Sequence, residues 1–235
     1  MTQGQSARTS RPLVRFLVPL LCLVGNLFAY AVRAQLLTSE QGNIWITASS
    51  PGSRVQLTRT GRDRDPSLSS DHSLVVFVRG TPGKNVDGPV GEAEATELWL
   101  VHADGREPRL LVSGGTHEGS NGVPVADFRS PQFSPDGAQV YFLSIAAVVS
   151  GAVYTVDLKG QRLREVCAAN SLRVVRQGTY AGDLIVQQHR YYLGGGSYDW
   201  VFLVKPDGSE IGTLGDGDDP QLESRVREVL EWRTR

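Results

Sequence analysis

The chain is poor in cysteine, and the little it has excludes whole classes of site. Only Cys22 and Cys167 occur in 235 residues, and Cys22 falls in a stretch that reads as a removable leader. The one remaining sulfur builds neither a disulfide nor a cysteine-based metal centre. Cys167 ends an expected strand, Leu163 to Cys167, as a small buried hydrophobe. An excess of one charge is also missing: 24 basic against 25 acidic side chains leave a net charge of −1, with no basic footprint for nucleic acid. The 26 glycines and 12 prolines follow no short period and act as turn punctuation.

Catalytic signatures are absent as well. Glu118-Gly119-Ser120-Asn121-Gly122 and Gly195-Gly196-Ser197-Tyr198-Asp199 each miss a glycine of a nucleophile elbow. His72, His102, His117 and His189 have no zinc spacing. Gly194-Gly195-Gly196 lacks the strand-to-helix setting of a phosphate loop, and Asp216-Gly217-Asp218-Asp219 lacks the EF-hand spacing. No cofactor and no metal are expected.

The N-terminus orders its residues as an export leader does. Arg8, Arg11 and Arg15 precede the apolar run Phe16 to Val32, interrupted by Asn26, and Val32-Arg33-Ala34 fits a signal peptidase. Cleavage after Ala34 assigns residues 1–34 to a signal peptide and leaves 201 mature residues. The alternative is an uncleaved anchor, for which 17 apolar-run residues containing Pro19 are short against the roughly 20 a span needs. Pro19-Leu20-Leu21-Cys22 makes a poor lipoprotein signal. The protein is therefore expected outside the cytoplasm, periplasmic or secreted, touching a membrane only if the leader is kept.

Internal repetition is the main signal. An aromatic-bearing strand recurs at Ile44-Trp45-Ile46, Leu98-Trp99-Leu100-Val101, Val153-Tyr154-Thr155-Val156 and Val201-Phe202-Leu203-Val204, with steps of 54, 55 and 48 between aromatics. Each is followed by a turn: Pro51-Gly52, Asp104-Gly105, Lys159-Gly160 and Asp207-Gly208. A second unit alternates with it. Pro66 to Ser73 leads into Leu74 to Val78, and Pro131-Gln132-Phe133-Ser134-Pro135-Asp136-Gly137 leads into Val140 to Leu143. A degraded third copy runs from Leu172 to Val175 and on to Leu184 to Gln187. The central strands do not alternate with polar residues, so both their faces are buried. Small sheets buried on both faces and repeated about every 50 residues stack as the blades of a β-propeller.

Phe128 to Phe142 and Glu97 to Leu111 resemble the repeat of the TolB-like propeller family, of the WD type. The likeness is strongest over Pro66 to Val166, and Ser70-Asp71-His72 departs from it by replacing Pro-Asp-Gly. The resemblance implies an all-β, propeller-like fold and a periplasmic interaction module, without naming the partner. Strand counting gives about 3.5 to 4 four-stranded antiparallel blades over 35–218, a small or incompletely closed ring, since closed propellers have about four to eight blades. Leu36 to Ser39 adds one possible strand. A short C-terminal helix in 219–235, starting at Asp219-Pro220, is expected to dock on the propeller through Leu222, Val226, Val229 and Leu230. Glu223/Arg227 and Arg227/Glu231 are its expected i,i+4 pairs.

In an up-and-down blade the Asp-Gly turns share one plain end. Three longer segments, Gly80 to Thr96, Gly114 to Asp127 and Gly194 to Tyr198, share the other. They offer Lys84, Asn85, Asp87, Glu92, Glu94, His117, Glu118, Asn121, Tyr198 and Asp199 as candidate binding residues. The expected function is non-enzymatic binding of a protein or cell-envelope component. The alternatives are a lyase or glycoside-acting enzyme using Asp87, Glu92, Glu94 and Asp199, or a fragment completed as a homodimer.

Overall fold

Strands that are apolar at consecutive positions must be covered on both sides, and stacked sheets provide that cover. The computed structural model describes Met1 and residues 36–47, 53–88, 91–120, 122–147 and 150–231. The expected leader beyond Met1, the Pro51-Gly52 turn and Asn121 lie outside the described residues. The chain divides into Met1–Val32 and Arg33–Arg235, and the second unit is described below.

Its first sheet has three strands, β1 (Leu36–Glu40), β2 (Asn43–Thr47) and β3 (Arg54–Gln56). The second has four: β4 (Asp63–Leu68), β5 (Leu74–Arg79), β8 (Glu97–His102) and β9 (Arg109–Ser113). The hairpin of β6 (Asn85–Gly88) and β7 (Gly91–Glu94) is inserted between β5 and β8. The third comprises β10 (Arg129–Phe133), β11 (Gln139–Ala147), β12 (Ser150–Asp157) and β13 (Arg164–Ala168). The fourth comprises β14 (Ser171–Val174), β15 (Leu184–Tyr191), β16 (Ser197–Val204) and β17 (Glu210–Asp216). All pairings are antiparallel, and the ring of blades is not closed. The first and second blades thus have the expected small, open propeller pattern continued by the third and fourth.

Successive side chains of one strand serve two different cores. Val75 and Phe77 meet Ile44 and Ile46 of the first blade, while Val76 and Val78 meet Val140, Phe142 and Tyr154 of the third. Tyr141, Leu143 and Val153 then face Leu184, Val186 and Phe202 of the fourth. Each such side chain contributes roughly 1.5–3 kcal/mol by leaving water.

The two ends of the stack are finished differently. On the first blade Trp45 points away from its neighbours, and the Arg54 guanidinium lies 4.3 Å over its ring while pairing with Glu40. That polar outer face is what a terminal repeat requires. On the fourth blade Ile185, Val201 and Leu203 are covered by α1 (Leu222–Glu231), through Leu222, Val226, Val229 and Leu230. Asp219 caps the helix, accepting from Gln221 N at 2.8 Å and binding Arg225 at 2.5 Å. The expected Glu223–Arg227 and Arg227–Glu231 pairs do not form; Glu223 reaches across to Arg173 at 3.7 Å.

The Ser-Pro-Asp-Gly turn works through its side chains. Ser134 Oγ donates to Asp136 Oδ1 at 2.5 Å and accepts from Gln139 N at 3.0 Å, and Gly137 has φ 70°. Ser69 and Asp71 repeat this network at 2.6 and 3.0 Å, with His72 at φ 62° in the glycine place. The departure from Pro-Asp-Gly therefore changes the residues and keeps the turn. The third-to-fourth strand turns join neighbouring blades. A Cβ at Gly160 would fall on the Leu111 carbonyl of the second blade, and one at Gly208 on the Val166 carbonyl of the third. Both glycines also have positive φ, 75° and 89°.

Candidate functional site

Five candidate residues are brought together on one hairpin that the sequence reading took for irregular loop. In β6 and β7, Asn85 lies opposite Glu94 and Asp87 opposite Glu92; Asn85 Nδ2 donates to Glu92 Oε2 at 3.0 Å. The alternation Asn85-Val86-Asp87 against Glu92-Ala93-Glu94 was the available signal. Lys84 closes the base, its carbonyl accepting from Ala95 N at 2.8 Å. Glu94 Oε1 accepts from Thr81 N at 2.5 Å, and Thr81 Oγ1 donates to the Ala95 carbonyl at 2.6 Å. Glu94 is thereby engaged in shaping the loop.

The second long segment is fastened to the first. Asp127 N donates to the Glu94 carbonyl at 3.0 Å, and Phe128 N to Thr96 Oγ1 at 2.7 Å. Gly115 and Val125 pinch the segment with two backbone bonds of 2.9 Å. His117 Nε2 binds the Ser113 carbonyl at 2.7 Å, and Glu118 opens a 3-10 turn, Glu118–Ser120. His117, Glu118 and Gly119 share a depression of about 360 Å³ with Gly160, Arg162 and Leu163. Those last three belong to a tight third-to-fourth strand turn, so His117 and Glu118 are separated from the β6–β7 group. Asn121 lies outside the described residues.

Tyr198 and Asp199 stand on a regular strand. Gly194 to Tyr198 forms no elaborate loop: β15 and β16 remain paired up to Tyr191 and Ser197, and Tyr192 N donates to the Gly196 carbonyl at 3.0 Å. Extended cross-strand pairing consumed residues that glycine content had suggested were loop. Asp199 Oδ1 lies 3.0 Å from His189 Nδ1, and the His189 ring meets Tyr191 edge-on at 5.0 Å. Tyr198 packs between Tyr192 at 4.7 Å and Trp200 at 5.5 Å. His189, Tyr192 and Trp200 were missed by sequence reasoning; the period-two pattern on either side of the glycines carries them. Tyr191, Tyr192 and Leu193 are exposed at the tip.

The displaced titrations lie elsewhere. The Ser69 hydroxyl, with the Ser73 amide and hydroxyl, pulls Asp71 down to about 2. Ser134 lowers Asp136 in the same way, and the Arg106 and Ser209 donors lower Asp104 and Asp207. Burial pushes Asp183 up, and carries the Cys167 thiol to about 11. Among the described residues, no group of three His, Cys, Asp or Glu side chains is placed to hold a metal ion.

Among solved structures, the chain is similar to TolB from Acinetobacter baumannii: 14% identical, TM-score 0.50, covering 78% of this chain and 41% of that one. The fold is a TolB-like β-propeller. Weaker likenesses join the β-propeller domain of the Trilobed protease from Pyrococcus furiosus (12% identical, TM-score 0.48, 78% of this chain and 53% of that one). Oligogalacturonate lyase from Vibrio parahaemolyticus is similar at 14% identity and TM-score 0.49, over 75% of this chain and 43% of that one. The chain thus spans about half or less of the length of these proteins. No protein-family model matches the chain, and no curated protein does.

Proposed function

We propose that this TolB-like propeller is an exported, non-enzymatic module, periplasmic or secreted, that binds a protein or envelope component through its long-loop end. The carrying observation is the fastening of Gly80 to Thr96 onto Gly114 to Phe128 through Glu94, Thr96 and Asp127. Two long connections held to one another on a stacked scaffold form a preorganised surface. The engagement of Glu92 with Asn85, Glu94 with Thr81 and Asp199 with His189 favours binding over acid–base chemistry at those carboxylates. The leader reading and the WD-type character of the repeat belong to the same proposal.

The test is capture from cell-envelope extracts by the wild type and by a variant whose β6–β7 hairpin is trimmed between Asn85 and Glu94, leaving both residues. The binding reading expects specific partners to be lost while the melting temperature stays within a few degrees. Equal capture by both proteins overturns it.

A further inference from the structure

Among the described residues the first blade has three strands where the others have four, and the structure identifies which position is unfilled. In blades two to four the chain enters the inner strand beside a bond to the approach or first turn of the preceding blade's third strand. Asp127 N donates to the Glu94 carbonyl before β10, and Ala169 N to the Gly151 carbonyl before β14. At the start of β4, Asp63 N donates to the Gly42 carbonyl in the same way. Gly42 lies in the β1–β2 turn, so β1 and β2 are the second and third strands of their blade, and β3 is the outermost. The pairing of Trp45 with Gln56 agrees, matching that of Trp99 with Leu110. The position unfilled among the described residues is therefore the innermost one, beside the propeller axis.

The register shows what that leaves open. Glu40 and Asn43 close a two-residue hairpin with φ of 50° and 70° at Gln41 and Gly42, so they form a hydrogen-bonded pair. Alternation then directs the N–H and C=O of Thr38 and Leu36 to β2, and those of Leu37 and Ser39 to the other edge. Ile44, opposite Ser39, fits this by donating its N–H to Thr58 Oγ1. Among the described residues β1 pairs with β2 alone. Near the axis, the inner-strand turns of the second and fourth blades leave a space of about 390 Å³ between Leu68, Ser69, His72 and Arg176.

We propose that β1 accepts an extended segment of a partner protein, antiparallel, as the missing inner strand. This site is separate from the long-loop end. An unpaired edge of alternating donors and acceptors is recognised by another strand, with main-chain bonds supplying affinity. The proposed cleavage after Ala34, on which this reading rests, leaves one residue ahead of β1, too few to fill the slot from the same chain. The polar cover over Trp45 and the α1 cover on the fourth blade oppose completion by stacking a second copy.

Amide hydrogen exchange on the protein expressed with its own leader tests this. The probe is a peptide of the chain's own inner-strand sequence, residues 126–134, against a scrambled control. Leu37 and Ser39 amides are expected to exchange freely, and to slow about tenfold or more with the peptide and not with the control. Ser39→Pro, which removes an N–H that β2 does not use, is expected to abolish the slowing while β10–β13 stay protected. Slow exchange without peptide in a monomer means the chain fills its own slot and overturns the proposal. So does protection that appears only on self-association, or none with peptide. The wild-type comparison stands even if Ser39→Pro fails to fold.

Discussion

Arg79 grips both oxygens of Asp63, Nε to Oδ1 at 2.7 Å and Nη2 to Oδ2 at 3.1 Å, from the facing position on the adjacent strand. Asp63 is fully buried, and the guanidinium lies 4.2 Å over the Trp99 ring. Removing one partner strands a buried charge. Asp63→Asn or Arg79→Met is expected to cost about 3–5 kcal/mol in urea unfolding, and the double replacement by apolar residues much less.

His72 occupies a left-handed position that glycine fills in the sister turn. His72→Gly should raise stability by about 1 kcal/mol, read as a higher melting temperature, because the Cβ conflict of that conformation disappears. A lower melting temperature would mean the imidazole makes a compensating contact.

The blade-joining glycines predict an order of damage. Gly160→Ala and Gly208→Ala place a methyl on a neighbouring carbonyl, whereas the nearest atom to a Cβ at Gly105 is 3.8 Å away. Gly105→Ala should therefore cost only its backbone strain, about 1–2 kcal/mol, and the other two distinctly more, by thermal unfolding.

Acid should weaken the fold through the turn aspartates. Asp71 is held at about 2 against an ordinary 3.8, so its contribution is complete above the ordinary value and is lost as pH falls from about 4 towards 2. Asp71→Asn should flatten that part of the stability–pH curve. An unchanged curve contradicts the assignment.

Burial that holds Cys167 near 11 predicts slow alkylation in the native protein at pH 8, with rapid modification after denaturation. Mass mapping of the iodoacetamide adduct reads this directly.

Much of the architecture was legible because each blade repeats one physical solution. Val75-Val76-Phe77-Val78 announces two dry faces, and Asp-Gly announces the tight turn that abuts the preceding blade. The candidate site was less legible, for two reasons. Gly80 to Thr96 hides a hairpin whose pairing rests on polar residues, and Gly194 to Gly196 looks like loop although strong β pairing on either side confines it to a turn. The placement of His117 and Glu118 beside Leu163 depends on the position of the third blade, which no local pattern encodes.

The most direct test of the stacking is to replace Val75 and Val76, one at a time, with serine. They are neighbours in sequence, both fully buried, and belong to different cores. Two dry faces predict that each variant loses about 2 kcal/mol or more in urea unfolding. If either serine is silent, one side of that sheet is wet and the stacked-blade account fails.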